Sequence, residues 1–244
     1  MTIYAIPDVH GHLDKLERAH ALIAADRVRE GASKAPVVHL GDLNDRGPDT
    51  RGVIDRLVGG IGAGEPWIVL MGNHDRMFRN FLRAERLGDA GRDDDAYWLH
   101  PALGGVETLA SYGVRARGRR LAEVKRDAAA AVPEAHRVFL EARPLWHVTE
   151  ELVFVHAGIR PGVPLEAQTE EDLVWIREPF LYDLHDHGRL VVHGHTPVRE
   201  PEHHGNRVAL DAGAAFGGPL VAAVFEGRQC WLLGPRGREP LRPF

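Results

Sequence analysis

Pro36–Leu40 (PVVHL) runs directly into Gly41–Gly47 (GDLNDRG), and the reading of this junction decides the fold. The apolar run reads as a strand, and Pro48-Asp49 beyond the heptapeptide signals the start of a helix. Two carboxylates, Asp42 and Asp45, and the fixed cation Arg46 therefore lie in a tight loop at the carboxyl end of a strand. Open α/β sheets place their ligands there. Taken alone, an Asp-Gly-Arg loop is equally a solvated turn, and the flanking chain has to separate the two readings.

Upstream, residues 2–7 (TIYAIP) read as a buried strand ended by Pro7, with Asp8-Val9-His10-Gly11 behind it. Leu13, Leu16, Ala19 and Ile23 recur at helical spacing, so residues 12–29 form an amphipathic helix and the chain opens as a βαβ unit. Asp8 and His10 are two apart, so in extended chain both side chains leave one side, a donor pair suited to a divalent metal. Downstream, Arg51–Leu57 reads as helix and Pro66–Met71 (PWIVLM) as a third strand, ended by Gly72-Asn73-His74-Asp75. Gly and Asn favour turns, but the turn reading would now have to hold independently at three successive strand ends. Strands return at Leu152–Val155, followed by His156-Ala157-Gly158, and at Leu190–Val192, followed by His193-Gly194-His195-Thr196-Pro197.

Residues 76–150 read as a helical insertion forming one wall of the site, with Met77, Phe78, Phe81, Leu82 and Leu87 at helical spacing and further helical patterns at 102–112, 119–131 and 133–142. Within it, Asp93-Asp94-Asp95 reads as a solvated loop, and His100, His136 and His147 as structural or surface residues. Val174–Glu178 reads as a short helix or its end. The tail, Val208–Leu210, Leu220–Phe225 and Cys230–Leu233, alternates like an antiparallel sheet, with His203 and His204 in a hairpin loop. The chain shows no internal repeat, low-complexity tract or linker, so residues 1–244 read as one domain.

Composition narrows the function classes. A formal charge of −5 gives no basic footprint for nucleic acid, and Arg115–Arg120 is short enough to be an exposed loop. The single cysteine, Cys230, excludes an intrachain disulfide and reads as buried packing in a reducing compartment. No stretch approaches a membrane span, and the N-terminus lacks the apolar run of a signal sequence. A cytoplasmic protein is expected.

The strand ends together offer Asp8, His10, Asp42, Asn73, His156 and His195, nitrogen and oxygen donors without a thiolate. Six donors exceed one zinc tetrahedron and suit two divalent metals sharing a carboxylate, with Asp42 as the central bridge. Two such ions can hold a hydroxide nucleophile at neutral pH and neutralise a phosphoryl group under in-line attack. Arg46 and Arg177 supply planar donors that match phosphate oxygens. His74, next to Asn73, is the candidate acid for the leaving oxygen, and Asp45 can orient its ring and favour its protonated form.

In order, D-x-H-G, G-D-x-x-D-R-G, G-N-H-D, H-A-G and G-H-T-P resemble the signature of the calcineurin-like metallophosphoesterases, within them the phosphoprotein-phosphatase branch and its small bacterial and phage enzymes of the lambda-phosphatase type. The likeness runs from Asp8 to about Gly217 and includes W-x-R-E at Trp175–Glu178 and L-D-A-G-A at Leu210–Ala214. It implies a β-sandwich flanked by helices with the site at its edge. It also implies two divalent ions, usually manganese with iron or zinc as other occupants. By resemblance Asp8, His10 and His195 hold one, Asn73 and His156 the other, with Asp42 between. Arg46 and Arg177 match phosphate-binding arginines, and His74 with Asp45 matches the acid and its partner.

Three departures bear on substrate. Met71 stands where protein phosphatases often carry Arg, Asp75 where Glu is commoner, and Asn44 where Val is usual. The Met-Gly-Asn-His-Asp form is nearer to diadenosine tetraphosphate hydrolases, whereas the intact Asp45-Arg46-Gly47 favours a phosphomonoesterase acting on phosphoprotein or a small phosphoester. The phosphomonoesterase is the leading expectation and the dinucleoside polyphosphate hydrolase the alternative. Pro197 removes the last His a nuclease of this kind needs, and the full set of site residues argues against a non-catalytic phosphoprotein-binding module.

Overall fold

A computed structural model describes residues 1–83 and 93–244. The chain opens with β1 (Thr2–Ile6), α1 (Leu13–Glu30), β2 (Val37–His39), α2 (Thr50–Gly62) and β3 (Trp67–Val69), the expected βαβ alternation, in which β1 pairs parallel to β2 and β2 parallel to β3. Gly31 ends α1 in the left-handed region, its N–H closing on the Arg27 carbonyl. Asp49 caps α2 by accepting the Gly52 N–H, as the sequence signal required.

Next come α3 (Asn73–Leu82), α4 (Asp93–Trp98), α5 (Gly105–Ser111), α6 (Leu121–Ala131) and α7 (Glu134–Glu141). One expectation changes here: Asp93-Asp94-Asp95 lies in the first turn of a helix rather than in a loop. Gly72-Asn73-His74-Asp75, which ends the third strand as expected, also opens α3, with Gly72 at its N-cap. Leu87 lies outside the described residues. The segment is also not helical throughout, because Trp146–Val148 forms β4, an edge strand antiparallel to β5 (Leu152–Val155). Three residues are too short for periodicity to reveal a strand.

After α8 (Glu170–Trp175) come β6 (Leu190–His193), β7 (Glu202–His203), β8 (Arg207–Ala209), β9 (Ala223–Glu226), β10 (Gln229–Gly234) and β11 (Gly237–Leu241). The tail is not one antiparallel sheet: β9, β10 and β11 extend the first sheet, in the order β11-β10-β9-β1-β2-β3, but β8 pairs parallel to β6 in a second sheet, β4-β5-β6-β8-β7. His203 sits in β7, leaving His204 and Gly205 at the hairpin.

Strand alternation explains the layering. Ile3 and Ala5 of β1, with Val38 and Leu40, face Phe154, Leu190, Val192 and Val208 of the second sheet and make a core between the two sheets. Tyr4 and Ile6 point the other way, onto Leu16, Ile23, Val53 and Leu57 of α1 and α2. Val153, Val155 and Val191 carry Leu173 and Phe180 on the outer face of the second sheet. The result is the expected α/β sandwich with helices on both outer faces. Cys230 is buried between the sheets, and burial pushes its thiol up to about 12. No helix among the described residues is long and apolar enough to cross a membrane.

Candidate metal centre and active site

Three parallel strands of each sheet end at one edge, and every expected ligand follows one of them. Asp8 and His10 follow β1, Asp42 follows β2 and Asn73 follows β3; His156 follows β5 and His195 follows β6. The loops are stitched together by backbone. Val9 and His10 N–H both donate to the Asp42 carbonyl at 3.0 and 2.8 Å, and Gly194 N–H donates to the His156 carbonyl at 2.8 Å. All six are buried, although charged and polar groups seldom are without a purpose.

Among the described residues, His and Asp donor atoms form two groups sharing Asp42: His10 and Asp42 with His74 in one, and Asp42, His156 and His195 in the other. His10 Nε2 is 3.5 Å from one Asp42 oxygen and His156 Nε2 is 3.4 Å from the other. His195 sits differently from expectation. Its Nδ1 is 2.9 Å from Asn73 Oδ1, which is also 2.8 Å from His156 Nε2, so its imidazole joins the Asn73–His156 side rather than Asp8 and His10. What ties His195 to Asp8 is its backbone N–H, 3.1 Å from both carboxylate oxygens. Asp8 is in neither three-residue group, and burial with the charges of Asp211 and Asp42 raises its pKa.

The donor chemistry fits cations. His156 Nδ1 donates to the Leu40 carbonyl at 2.9 Å and His10 Nδ1 to the Asn44 carbonyl at 2.8 Å, so in each neutral ring Nε2 is the bare lone pair. Burial keeps His10, His156 and His195 neutral, the state a ligand needs. His156 Nε2 therefore turns an acceptor toward two further acceptors, Asn73 Oδ1 and Asp42, and His195 Nε2 is buried with no protein partner. A cation satisfies such a constellation, because His156 Nε2 carries no proton to offer these oxygens; Asp42 Oδ1 itself accepts the His74 N–H at 2.9 Å. Burial alone would raise Asp42, but pairing with the surrounding histidines, among which His74 has its own pKa raised, outweighs burial and holds the carboxylate ionised.

The backbone is bent to make this arrangement. Among the described residues, the non-glycine residues in the left-handed region are His10, Asp42, Asp45, Arg46 and His195, with φ between 45° and 72°. All five are expected site residues, and such conformations persist only where the surroundings enforce them. Close approach does the rest: a Cβ on Gly72 would lie 2.2 Å from Asp42 Oδ1, and one on Gly194 would lie 2.0 Å from Asp8 Oδ1.

His74 opens α3, and its Nδ1 is 2.5 Å from Asp45 Oδ2. Burial lowers its pKa, but Asp42 and Asp45 outweigh burial and raise it. Asp45 is itself fixed by the inserted helices. Trp98 Nε1 donates to Oδ2 at 2.9 Å, and Thr108 Oγ1 and Asn44 Nδ2 each donate to Oδ1 at 2.7 Å. Nothing local in the sequence marks Trp98 or Thr108, which lie more than 50 residues from Asp45.

Arg46 Nη1 is 2.7 Å from His10 Nε2 and Nη2 is 3.1 Å from His74 Nε2, so the guanidinium lies against both rings. Arg177 is exposed just past α8, near enough for its charge to depress the His195 pKa. Two further acids belong to the centre. Asp75 accepts the N–H groups of Asp42, Leu43 and Gly72 at 2.8–2.9 Å, holding the β2 loop against the start of α3; burial and Asp42 raise it to about 7 against those donors. Asp211, after β8, is buried and raised to about 6, by burial first and Asp42 second. The pattern of acids after strands would have reached Asp211, which follows the sixth parallel strand. His136 is structural, bonded to Tyr112 and Asp55, and His100 is exposed.

Comparison with known proteins agrees with this architecture. The chain is 28% identical over 225 residues to the asymmetrical bis(5'-nucleosyl)-tetraphosphatase PrpE of Anoxybacillus flavithermus, covering 84% of this chain and 82% of that one. It is 27% identical over 242 residues to the protein of the same name from Bacillus subtilis, covering 90% and 89%. Among solved structures, a putative diadenosine tetraphosphatase superposes with a TM-score of 0.65 at 21% identity, covering 95% of this chain and 92% of that one. A cold-active protein-tyrosine phosphatase of a Shewanella species superposes with a TM-score of 0.58 at 17% identity, covering 99% and 80%. The calcineurin-like phosphoesterase profile matches residues 1–227. With that match spanning most of the chain and the His/Asp clusters gathered at one sheet edge, the protein belongs to the calcineurin-like phosphoesterases.

Proposed function

We propose that the protein is a hydrolase dependent on two divalent metals that cleaves a phosphoric anhydride of a dinucleoside polyphosphate. The chemistry rests on one observation above the others: a single carboxylate, Asp42, stands between two groups of imidazoles. His10 and Asp42, with Asp8 beside them, would hold one cation; Asn73, His156 and His195, with Asp42, would hold the other. Manganese is the first candidate, with iron or zinc as alternatives. Bound there, divalent cations act as Lewis acids on the phosphoryl group and lower the pKa of water.

The side chains of the chain itself do the rest. Arg46 and Arg177 are the planar donors for phosphate oxygens. Arg46 lies on the ring nitrogens of His10 and His74, so turning outward onto a phosphate frees both. The freed His74 Nε2, on a ring whose proton affinity Asp42 and Asp45 have raised, can then carry a proton to the leaving oxygen.

The substrate class is supported by the names of the relatives and by Met71, which leaves one cation fewer beside the phosphate. A second reading, a phosphomonoesterase acting on phosphoprotein or a small phosphoester, is favoured by the fully built Asp45–His74 pair, since an alkoxide leaving group needs a proton more than a nucleotide phosphate does. The test is to strip the protein of metal, add back manganese, and compare kcat/KM on diadenosine tetraphosphate and on a phosphopeptide. Metal-dependent cleavage of the dinucleotide into unequal nucleotides is expected to dominate. Faster release of phosphate from the phosphopeptide would install the second reading, and full activity after chelation would remove both.

A further inference from the structure

Phe216 is 68% exposed, yet the loop that carries it is firmly held. Gly213 O accepts from Phe216 N–H at 2.8 Å and from Gly218 N–H at 2.9 Å. Lys15 of α1 donates through Nζ to the Ala214 and Gly218 carbonyls at 2.8 and 2.9 Å, pinning both sides of Phe216 to the helix. The loop follows directly from Asp211 through the Asp211–Gly213 turn, where Gly213 N–H donates to Oδ1 at 2.9 Å. A large aromatic ring kept in water by a pinned loop adds little to the core.

Its position gives it another use. The Arg46 guanidinium carbon lies over the ring at 5.0 Å from its centre, while the nitrogens of the same guanidinium reach His10 and His74. The ring thus stands at the rim, one guanidinium away from the proposed reaction centre. That is the kind of separation a ribose imposes between a 5'-phosphate and its base. Resting on the dinucleoside polyphosphate reading, we propose that Phe216 is the platform on which a nucleobase of the substrate stacks while Arg46 engages the phosphate. A π-face accepts any base, so the platform confers preference for nucleotides without choosing among them.

The experiment is calorimetric titration of the manganese-loaded full chain with adenosine 5'-monophosphate and with ribose 5-phosphate, which differ by the base alone. Base–aromatic stacking predicts about tenfold tighter binding of the nucleotide. In Phe216→Ala that gap should shrink to about twofold or less, and in Phe216→Trp it should persist. Equal binding of the two ligands by the unaltered protein would overturn the platform. So would a Phe216→Ala variant that weakens both ligands equally, because the ring would then act only by holding Arg46. Turnover of diadenosine tetraphosphate, measured alongside, separates this idea from the one it rests on. Base-dependent binding without turnover retains the platform and removes the proposed activity, and turnover without base-dependent binding does the reverse.

Discussion

His74 Nδ1 and Asp45 Oδ2 are 2.5 Å apart, with both side chains almost wholly withdrawn from solvent. The carboxylate is braced by Trp98, Thr108 and Asn44, so it cannot swing with the ring it holds. Thr108 accepts the Asp45 N–H at 2.8 Å and donates its own proton to Asp45 Oδ1, which leaves Thr50 as the donor in their 3.2 Å contact. A ring held this way is fixed in both orientation and tautomer, as the proposed role of His74 as the acid requires.

Replacing Asp45 by Asn removes a charge that raises the His74 pKa. If His74 is the acid, as proposed, the protonated ring is the working form and activity is lost as pH rises through that pKa. In Asp45→Asn the alkaline limb of the pH–rate profile should move to lower pH. The rate should fall by about 10²-fold for substrates with poor leaving groups and far less for p-nitrophenyl phosphate. An unmoved limb would mean that another group titrates.

Asp75 does its work through backbone. Its carboxylate gathers the N–H groups of Asp42, Leu43 and Gly72 and so sets where the Asp42 carboxylate, the proposed metal bridge, stands. In Asp75→Ala those buried donors lose their acceptor. Manganese affinity is expected to drop about 10–100-fold, the usual effect of removing support behind a ligand, with a lower Tm. Titration of metal-free protein with manganese reads the first effect, and affinity equal to that of the unaltered protein would refute it.

How much of this was legible in the sequence follows from what each signal depends on. Strand ends carrying Asp, His or Asn mark a site because both apolar runs and donor residues are local, and each expected ligand was brought to one edge on that basis. His195 joining Asn73 and His156 was not legible, because which way an imidazole turns depends on its φ of 64° and on Asp8 beneath its amide. Trp98, Thr108 and Phe216 were silent for a related reason. Each reaches Asp45 or Arg46 only through tertiary packing, and no spacing in the chain encodes that. The three-residue strands β4 and β8 were misplaced because pairing partners, not periodicity, define strands so short.

Arg46 offers a test of stored strain, since its φ of 67° favours glycine. Arg46→Gly and Arg46→Ala both remove the guanidinium and should both lose most turnover. The glycine variant should nonetheless be more stable than the alanine variant by about 1 kcal/mol, because alanine keeps the Cβ penalty. Urea denaturation of the pair measures the difference, and a more stable alanine variant would show that the conformation relaxes once the arginine is gone.

Acid should also destabilise the fold, at a place away from the site. His20 and His39 are buried with Nε2 atoms 2.9 Å apart, and Trp67 stacks on His20 with ring centres 4.3 Å apart. A hydrogen bond between two ring nitrogens requires one of them unprotonated. Burial, with Arg56 and Arg27 nearby, lowers His20 from 6.5 to about 4; burial and His20 push His39 well below its ordinary value. The folded values lie under the unfolded one, so the fold has its full stability above pH 6.5. It loses that stability as pH falls toward the folded values, because the unfolded chain takes protons that the core refuses. Each ring that stays neutral contributes a loss of roughly 2 kcal/mol between pH 7 and pH 5. His39→Leu, which removes one refusing ring and leaves His20 with one hydrogen-bond partner fewer, should flatten the pH dependence of the urea midpoint over that interval. The slope should shrink rather than vanish, since buried His193, lowered to about 3 by burial and Arg207, loses stability in the same direction. An unchanged slope would place the acid sensitivity in other groups and return His20 and His39 to ordinary packing.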